Sequence, residues 1–532
     1  MRKLVIGMVL AAIALALACF LLPKEMVVKG PILNSITGRS IAAPKPETVE
    51  RRFEVAPGFR VELFAEGIQN ARVLRFSPGG SLVVSQPRLG RLLQIARDAD
   101  GDGRSDGQRV LLEGLDRPHG FDFGDGQLYI GEGGAIARIG FEESVPDSLR
   151  TAGEPQRIVT GIPEGENHWS RTLRLGPDGM IYLSVGSSCN ACLEKDPRRA
   201  ALLRYAIDGS GEEIYAAGLR NSVGFDWRPG TRELYATDNG RDLLGDDMPP
   251  CELNRIERGG FYGWPYAWGM NQADPDFGVG QPARIAASIP PVHAFGAHQA
   301  PLGMRFLRHE SQPADYRGAA LVALHGSWNR SELSGYKVVS LHWDAEGKIS
   351  QRDFFTGFQI GDDVIGRPVD VAEGPDGAIY VSDDYAAAIY RITRSDSSSN
   401  TSEASSNLAE VSQASTSLAS ARPVARAVDD PLAAYDPDTR KAMVERGAKL
   451  FAERGCAGCH VAGQATAGVI VKPIANLAAR YSVASLASFL LTPQPPMPVV
   501  DLPEADRLAL AAHLLEKEVR SVRGESVSGG GE

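Results

Sequence analysis

"GPDGMIYLSVG" (176–186) and "GPDGAIYVSDD" (374–384) are two copies of one phrase, and that phrase decides the fold. In each copy Gly, Pro and Asp make a tight turn, and an alternating run of Ile, Tyr, Leu and Val leaves it. That pattern predicts a turn feeding a strand. The phrase returns as "FSPGGSLVVSQ" (76–86), "FGDGQLYIGEG" (123–133) and "RPGTRELYATDNG" (228–240), with a weaker copy in "YRGAALVALHG" (316–326). Repeats about 50 residues apart, each holding several short strands, are the signature of a β-propeller. Six copies therefore predict an all-β six-bladed propeller over residues 50–394. The wider interval from Arg241 to Tyr316 reads as an elaborated loop region on one face.

Outward from the propeller the composition changes. Residues 395–434 open with "SDSSSNTSEASSN" and hold few large apolar side chains, so they read as a Ser/Ala-rich linker. A segment of about 35 such residues has a root-mean-square span on the order of 30 Å. Residues 435–520 carry "ERGCAGCHVAG" (453–463) between two helical patterns. Cys456, Cys459 and His460 stand in the C-x-x-C-H order that attaches c-type haem, and the surroundings predict a small all-α class I-type cytochrome c domain. His460 is the expected proximal ligand. Met497, in "PQPPMPVV", is the expected distal one, because Met/His ligation closes the iron and suits electron transfer. His513 is the other candidate, but it falls inside the last helical pattern and reads as a packing residue. Residues 521–532 read as a flexible tail.

Met-Arg-Lys followed by an apolar run from Leu4 to Leu22 is an export signal. Three fates stay open for residues 1–22: cleavage after Ala18, a lipid on Cys19, or retention as an anchor, since the run nearly matches the ~20 residues that span a bilayer. Each places the body of the chain in the periplasm or outside, and the anchor or lipid would attach it to the inner membrane. Residues 23–49 read as a linker. The remaining cysteines are Cys189 and Cys192, for which a disulfide is expected outside the cytoplasm, and the odd Cys251. A net charge of −10 offers no basic footprint for nucleic acid.

A haem takes one electron at a time, whereas oxidising an alcohol or aldehyde releases a pair. Something must hold the pair, and the chain has no G-x-G-x-x-G between a strand and a helix for a nicotinamide or flavin. A quinone on the propeller is the economical choice.

Residues 50–394 resemble the soluble pyrroloquinoline quinone (PQQ) dependent sugar dehydrogenases, the glucose, aldose-sugar and sorbosone dehydrogenase group. The resemblance rests on ordered motifs: "ENHWSR" (166–171), "GLRNSVGFDW" (218–227), "ATDNGRD" (236–242), "GGFYGWP" (259–265), "HGSWNR" (325–330) and "GRPVDV" (366–371). A fused C-terminal cytochrome c also occurs in this group. The resemblance implies His168 as catalytic base, with Arg220 and Asn221 beside the quinone, and Arg330 and Arg367 as cationic quinone ligands. It also implies a calcium held by the carbonyls of Gly240 and Arg241. The residue types suit those tasks: a neutral imidazole accepts a hydroxyl proton, and arginine forks grip carboxylates.

Two departures stand out. Where the glucose-oxidising branch has an acid that orients the base, this chain has Ser187-Ser188-Cys189, and Cys251 stands where an acid is expected. Separately, Asp98, Asp100, Asp102 and Asp106 in "DADGDGRSDG" (98–107) offer the alternating oxygens that calcium prefers, against the simpler reading of a solvated acidic turn. His119 and Trp328 are further candidates for the pocket, each with a purely structural alternative.

The expected function is an exported PQQ-dependent dehydrogenase of a sugar or aldehyde. It would pass electrons to its own haem and on to a respiratory acceptor such as a cytochrome, an oxidase or the quinone pool. The rival readings are a calcium-dependent lactonase-like hydrolase and a non-catalytic sugar-binding propeller. A hydrolase has no use for a haem, and binding alone needs no base.

Overall fold

The computed structural model describes residues 31, 37–165, 167–395, 432, 435–460 and 502–522, with single positions at 474, 477, 483, 486, 487 and 490. At 458–459 and 517–522 only the backbone is described. The chain divides into two compact units, Met1–Asn407 and Leu408–Glu532.

The first unit is the propeller. Its blades are antiparallel four-stranded meanders that open at Leu74–Phe76, Phe121–Gly124, Leu173–Leu175, Phe225–Trp227, Pro301–Phe306 and Pro368–Glu373, with a short fifth strand added to the third (Gly260–Phe261, parallel) and the fifth (Glu54–Val55). Each repeated phrase of the sequence is the hairpin between a blade's opening strand and its second strand. The second strands, among them Ile181–Val185 and Ile379–Asp383, are buried along their whole length except at Gln127 of the second blade, because they pack on both faces. The sixth blade takes its outer strand from the start of the propeller: Phe59–Glu66 runs antiparallel to Ala388–Arg394, from Phe59 opposite Arg394 to Glu66 opposite Ala388.

Two sequence expectations are refined. The elaborated stretch after Arg241 supplies the outer strands of the fourth blade, Pro250–Ile256 and His293–Ala297, so the true insertion lies between them. Residues read as an N-terminal linker are packed on the propeller where they are described. Ser40 Oγ donates to Asp384 O, Ile41 N donates to Tyr385 O, and the helix Pro46–Arg52 buries Val49. Residues 1–22 lie outside the described residues.

The opening strands face one another around the propeller axis and carry a pattern of charge. Arg75, Arg174, Asp226 and Arg305 stand opposite the second residue of the second strand in their blades, and Asp122 stands opposite the third, Tyr129, in the second blade. The sixth offers Asp370 on the same face, two residues upstream of that position. Arg75 Nη1 donates to Asp370 at 2.9 Å. Arg174 donates to Asp122 at 3.3 Å and to Asp226 at 3.2 Å, and Arg308 Nη1 to Asp226 at 2.9 Å. Each aspartate also accepts a backbone N–H from the opening strand of the following blade: Leu74 from Asp370's neighbour blade, Leu175 beside Asp122, and Phe306 beside Asp226. Burial alone would raise the Asp226 carboxyl, but Arg174, Arg305 and Arg308 hold it well below the usual range.

The second unit is helical where described. Asp436 caps the helix Pro437–Glu453 by accepting from Asp438 N and Thr439 N. A short helix, Ala457–His460, follows, and the unit ends in the helix Glu504–Val522. The two long helices cross closely at Gly447, where a β-carbon would strike Ala509 O. Leu450, Leu486, Leu490, Leu510 and Leu515 build the core. Met497 and nearly all of the 395–434 linker lie outside the described residues.

Candidate active site

A cavity of about 480 Å³ opens in the propeller, and His168, Asp242, His325, Arg367 and Asp384 are among the residues that line it. His168 has φ of 51°, a left-handed conformation that non-glycine residues seldom take. Its Nδ1 lies 3.0 Å from Ser187 O and 2.8 Å from Ser187 Oγ. A carbonyl oxygen only accepts, so Nδ1 carries the proton and the lone pair of the neutral ring sits on Nε2. Ser187 Oγ in turn donates to Cys189 O at 2.8 Å. Burial, with Arg220 nearby, lowers the imidazole to about 3, so the ring is neutral at physiological pH. Serine 187 therefore does by hydroxyl and carbonyl what the missing acid would do by charge: it selects the tautomer and fixes the ring.

Arg220 is 3% exposed and sits in an adjoining recess of about 20 Å³. Its Nε donates to Asn190 O at 2.8 Å, and its Nη2 donates to Asn190 Oδ1 at 2.9 Å and Asp242 Oδ2 at 3.0 Å. Nη1 donates to Asn239 O at 3.1 Å. Asn221 N donates to Asp238 Oδ1, and the Asn221 side chain faces His168 across Gly186. Gly240 and Arg241 line the same recess, and the Arg241 guanidinium is taken up by Asp274 and Asp276. The recess also holds two buried acids: burial and Glu252 raise Asp238 to about 8, and burial raises Glu252 to about 7. The expected acid is thus present one residue beyond Cys251, whose own thiol burial pushes up to about 11.

The structure brings Arg367 to the cavity but not Arg330. Arg330 Nε donates to Glu332 O at 3.1 Å, its Nη1 donates to Asp246 O, and the residue does not line the cavity. The cationic lining comes instead from Arg39, Arg72, Arg88 and Arg367. Arg72 Nη1 pairs with Asp384 at 2.8 Å, whereas its buried Nε has no hydrogen-bond partner. Asp384 also takes His325 Nε2 at 2.9 Å. Burial would raise the Asp384 carboxyl, but His325 and Arg72 override it and hold it well below the usual range. Burial and Arg367 lower His325 to about 4. The His325–Asp384–Arg72 chain was not legible in the sequence, although His325 opens "HGSWNR" and Asp384 closes "GPDGAIYVSDD".

Trp328 and Trp169 add flat apolar surface to the cavity. His119 does not line it. It is buried against Trp169, with ring centroids 5.6 Å apart, above an internal void of about 10 Å³ at the axis. Cys189 and Cys192 are joined in a disulfide, as expected. Asp98, Asp100 and Asp102 cluster with their oxygens within 4.8 Å of one another. Asp106 turns away to accept from Ala99 N, and Asp98 is already paired with Arg391 at 3.1 Å.

In the helical unit, His460 N donates to Cys456 O at 3.1 Å, which closes the short helix over the C-x-x-C-H motif. The His513 ring packs 5.8 Å from that of Phe451, between the long helices.

The glucose/sorbosone dehydrogenase family matches residues 131–391, and the cytochrome c family matches residues 444–517. An uncharacterized protein of Borreliella burgdorferi is 31% identical over 374 residues, covering 68% of this chain and 94% of its own. A pyrroloquinoline quinone-dependent pyranose dehydrogenase of Coprinopsis cinerea is 26% identical over 427 residues, covering 66% of this chain and 56% of its own. The holo PQQ domain of the Coprinopsis cinerea pyranose dehydrogenase superposes with a TM-score of 0.54 at 22% identity, over 66% of this chain and all of that domain, and this likeness is one of fold.

Proposed function

The chain belongs to the glucose/sorbosone dehydrogenase family and carries a cytochrome c domain behind its propeller, and from that premise we propose that it is an exported, PQQ-dependent dehydrogenase of a sugar or related aldehyde. The observation that carries the reading is His168. Its proton is committed to Ser187 on one nitrogen, and a lone pair is left on the other, in a cavity lined by arginines.

The cavity suits a flat tricarboxylate. Arg72, with its unsatisfied buried Nε, and Arg367 would hold carboxylates, and Trp169 and Trp328 would flank the rings. Bound there, PQQ supplies a two-electron acceptor. His168 Nε2 takes the proton of the substrate hydroxyl. Arg220, fixed by five hydrogen bonds of its guanidinium and main chain, supplies positive charge behind the base. Calcium would sit in the recess of Gly240 and Arg241, where the neighbouring buried acids Asp238 and Glu252, only partly offset by Arg220, would offer hard oxygens. Cys456 and Cys459 would hold the porphyrin and His460 the iron, a group that supplies one-electron transfer.

The test is direct. Haem-loaded protein is given PQQ and calcium and then a panel of sugars and aldehydes, and the haem spectrum is followed. Reduction that depends on both substrate and PQQ is expected. A haem that stays oxidised with every substrate, in protein shown to bind PQQ, would overturn the reading.

A further inference from the structure

The loop Ser187–Cys192 belongs to no strand or helix, yet it holds three elements of the site. Ser187 takes His168 Nδ1 through both its oxygens, and Ser188 O accepts from Asn167 N at 3.2 Å, which anchors the segment bearing the base. Asn190 O and Oδ1 take two nitrogens of Arg220. The same Oδ1 accepts from Asp242 N at 2.8 Å, and Asn190 Nδ2 donates to Asp242 O at 3.1 Å. Asn190 thus has to aim its carbonyl and its amide at one guanidinium while also gripping a second loop. That requires fixed backbone dihedrals in a segment with no sheet partner to fix them. Glu194 pins the near end through Ser188 N at 2.6 Å and Ser188 Oγ at 2.8 Å. Asn190 itself lies inside the ring closed by Cys189 and Cys192.

We propose that the Cys189–Cys192 disulfide is the positioning element of this site, with Asn190 as the residue through which it acts on Arg220 and Asp242. A dithiol breaks the S–S bond by giving up two electrons and two protons and leaves as its own disulfide. The loop then keeps Ser187 and Glu194 but loses the constraint that aims Asn190. Ser187 N still donates to Arg220 O at 2.8 Å and keeps the two main chains in register, so what is lost is the aim of the Arg220 guanidinium relative to His168. A misplacement of reacting groups by about 1 Å costs on the order of a hundredfold in rate.

The inference rests on the dehydrogenase reading only for its effect on turnover, so the experiment has two arms. In the first, full-length haem-loaded protein is reduced with a dithiol and desalted. Thiol labelling at Cys189 and Cys192 confirms reduction, and hydrogen exchange is followed by mass spectrometry. Faster exchange in peptides covering 167–168, 186–192 and 239–243 is expected, with the other blades unchanged. Unchanged exchange after complete reduction overturns the proposal, as does faster exchange throughout the propeller, which would make the bridge a general staple. In the second arm, with PQQ, calcium, sugar and an artificial dye, Asn190→Ala should lower kcat by about tenfold to a hundredfold with little change in KM. Asn190→Asp keeps the acceptor for Arg220 and Asp242 N but loses the N–H given to Asp242 O, so it should recover only part of the rate. Asn190→Ala at full rate, or a loss that appears in KM and not in kcat, overturns the role of Asn190. If the exchange changes appear and no sugar is oxidised even by the untreated protein, the positioning stands and the dehydrogenase reading falls.

Discussion

Gly186 and His168 leave no room between them: a β-carbon on Gly186 would stand 2.6 Å from Cβ of His168 and 2.8 Å from Oδ1 of Asn221. The Asn221 amide can turn aside, but the Cβ of His168 moves only with its backbone, so the smallest side chain at 186 must displace the base. Gly186→Ala should therefore cut kcat by on the order of a hundredfold, while stability falls by about 1–3 kcal/mol. Steady-state kinetics and a melting curve on the same sample check both. Normal turnover would mean that the position of His168 does not matter to the reaction.

His168→Ala should lower turnover by roughly 10²–10⁴-fold with PQQ binding retained. The neutral state of the ring can be checked separately. Burial and Arg220 depress the imidazole to about 3, so in cofactor-free protein its NMR shifts should stay constant between pH 8 and pH 5. A group depressed in the folded state binds fewer protons than the unfolded chain. Its contribution to stability is therefore complete above about pH 6.5 and declines as the pH falls. A titration midpoint near neutrality would contradict the burial argument.

Asp226→Asn removes the counter-charge shared by the buried Arg174 and by Arg308. Loss of one partner from a buried ion pair costs about 3–5 kcal/mol, and chemical denaturation should show a loss of that order. The arginines hold the Asp226 carboxyl below its ordinary range, so its contribution is present above about pH 4 and lost as the pH falls further. The variant's deficit should shrink in the same acid range.

In the helical unit, Met497→Ala should change the axial-ligand spectrum of the haem and lower its reduction potential. His513→Ala should leave that spectrum as it was, because the ring is engaged against Phe451 between the two long helices. The reverse pair of results would reassign the distal ligand.

The propeller was legible because its signal is local. A turn such as Gly176-Pro-Asp-Gly179 and the apolar strand after it announce a hairpin wherever they stand. His168 and Arg367 were legible through the resemblance: each sits in a short motif that matches a site segment of the sugar dehydrogenases, and both line the cavity. Arg330 shares such a motif, but a neighbouring loop claims it through Asp246 and Asp247, and no sequence pattern encodes which carbonyl a guanidinium will reach. Ser187 showed in the sequence only as a missing acid, and Asn190 did not show at all, for the same reason. Their importance comes from partners 19 and 30 residues away and from a bridge that aims them. The axial charges could have been found. "LRF", "FDF", "LRL", "FDW" and "MRF" each precede or begin one of the turns by which the blades were counted.

Those axial charges also carry a rule of parity. Arginine and aspartate take turns from blade to blade, and the ring closes where Arg75 meets Asp370. An alternating sequence can close on itself only if its members are even in number. Losing or duplicating a single blade would seat two like charges side by side in the driest part of the molecule, where their repulsion is least screened. The heritable unit of this architecture is therefore a couple of blades, one cationic and one anionic, and the chain reads as three such couples.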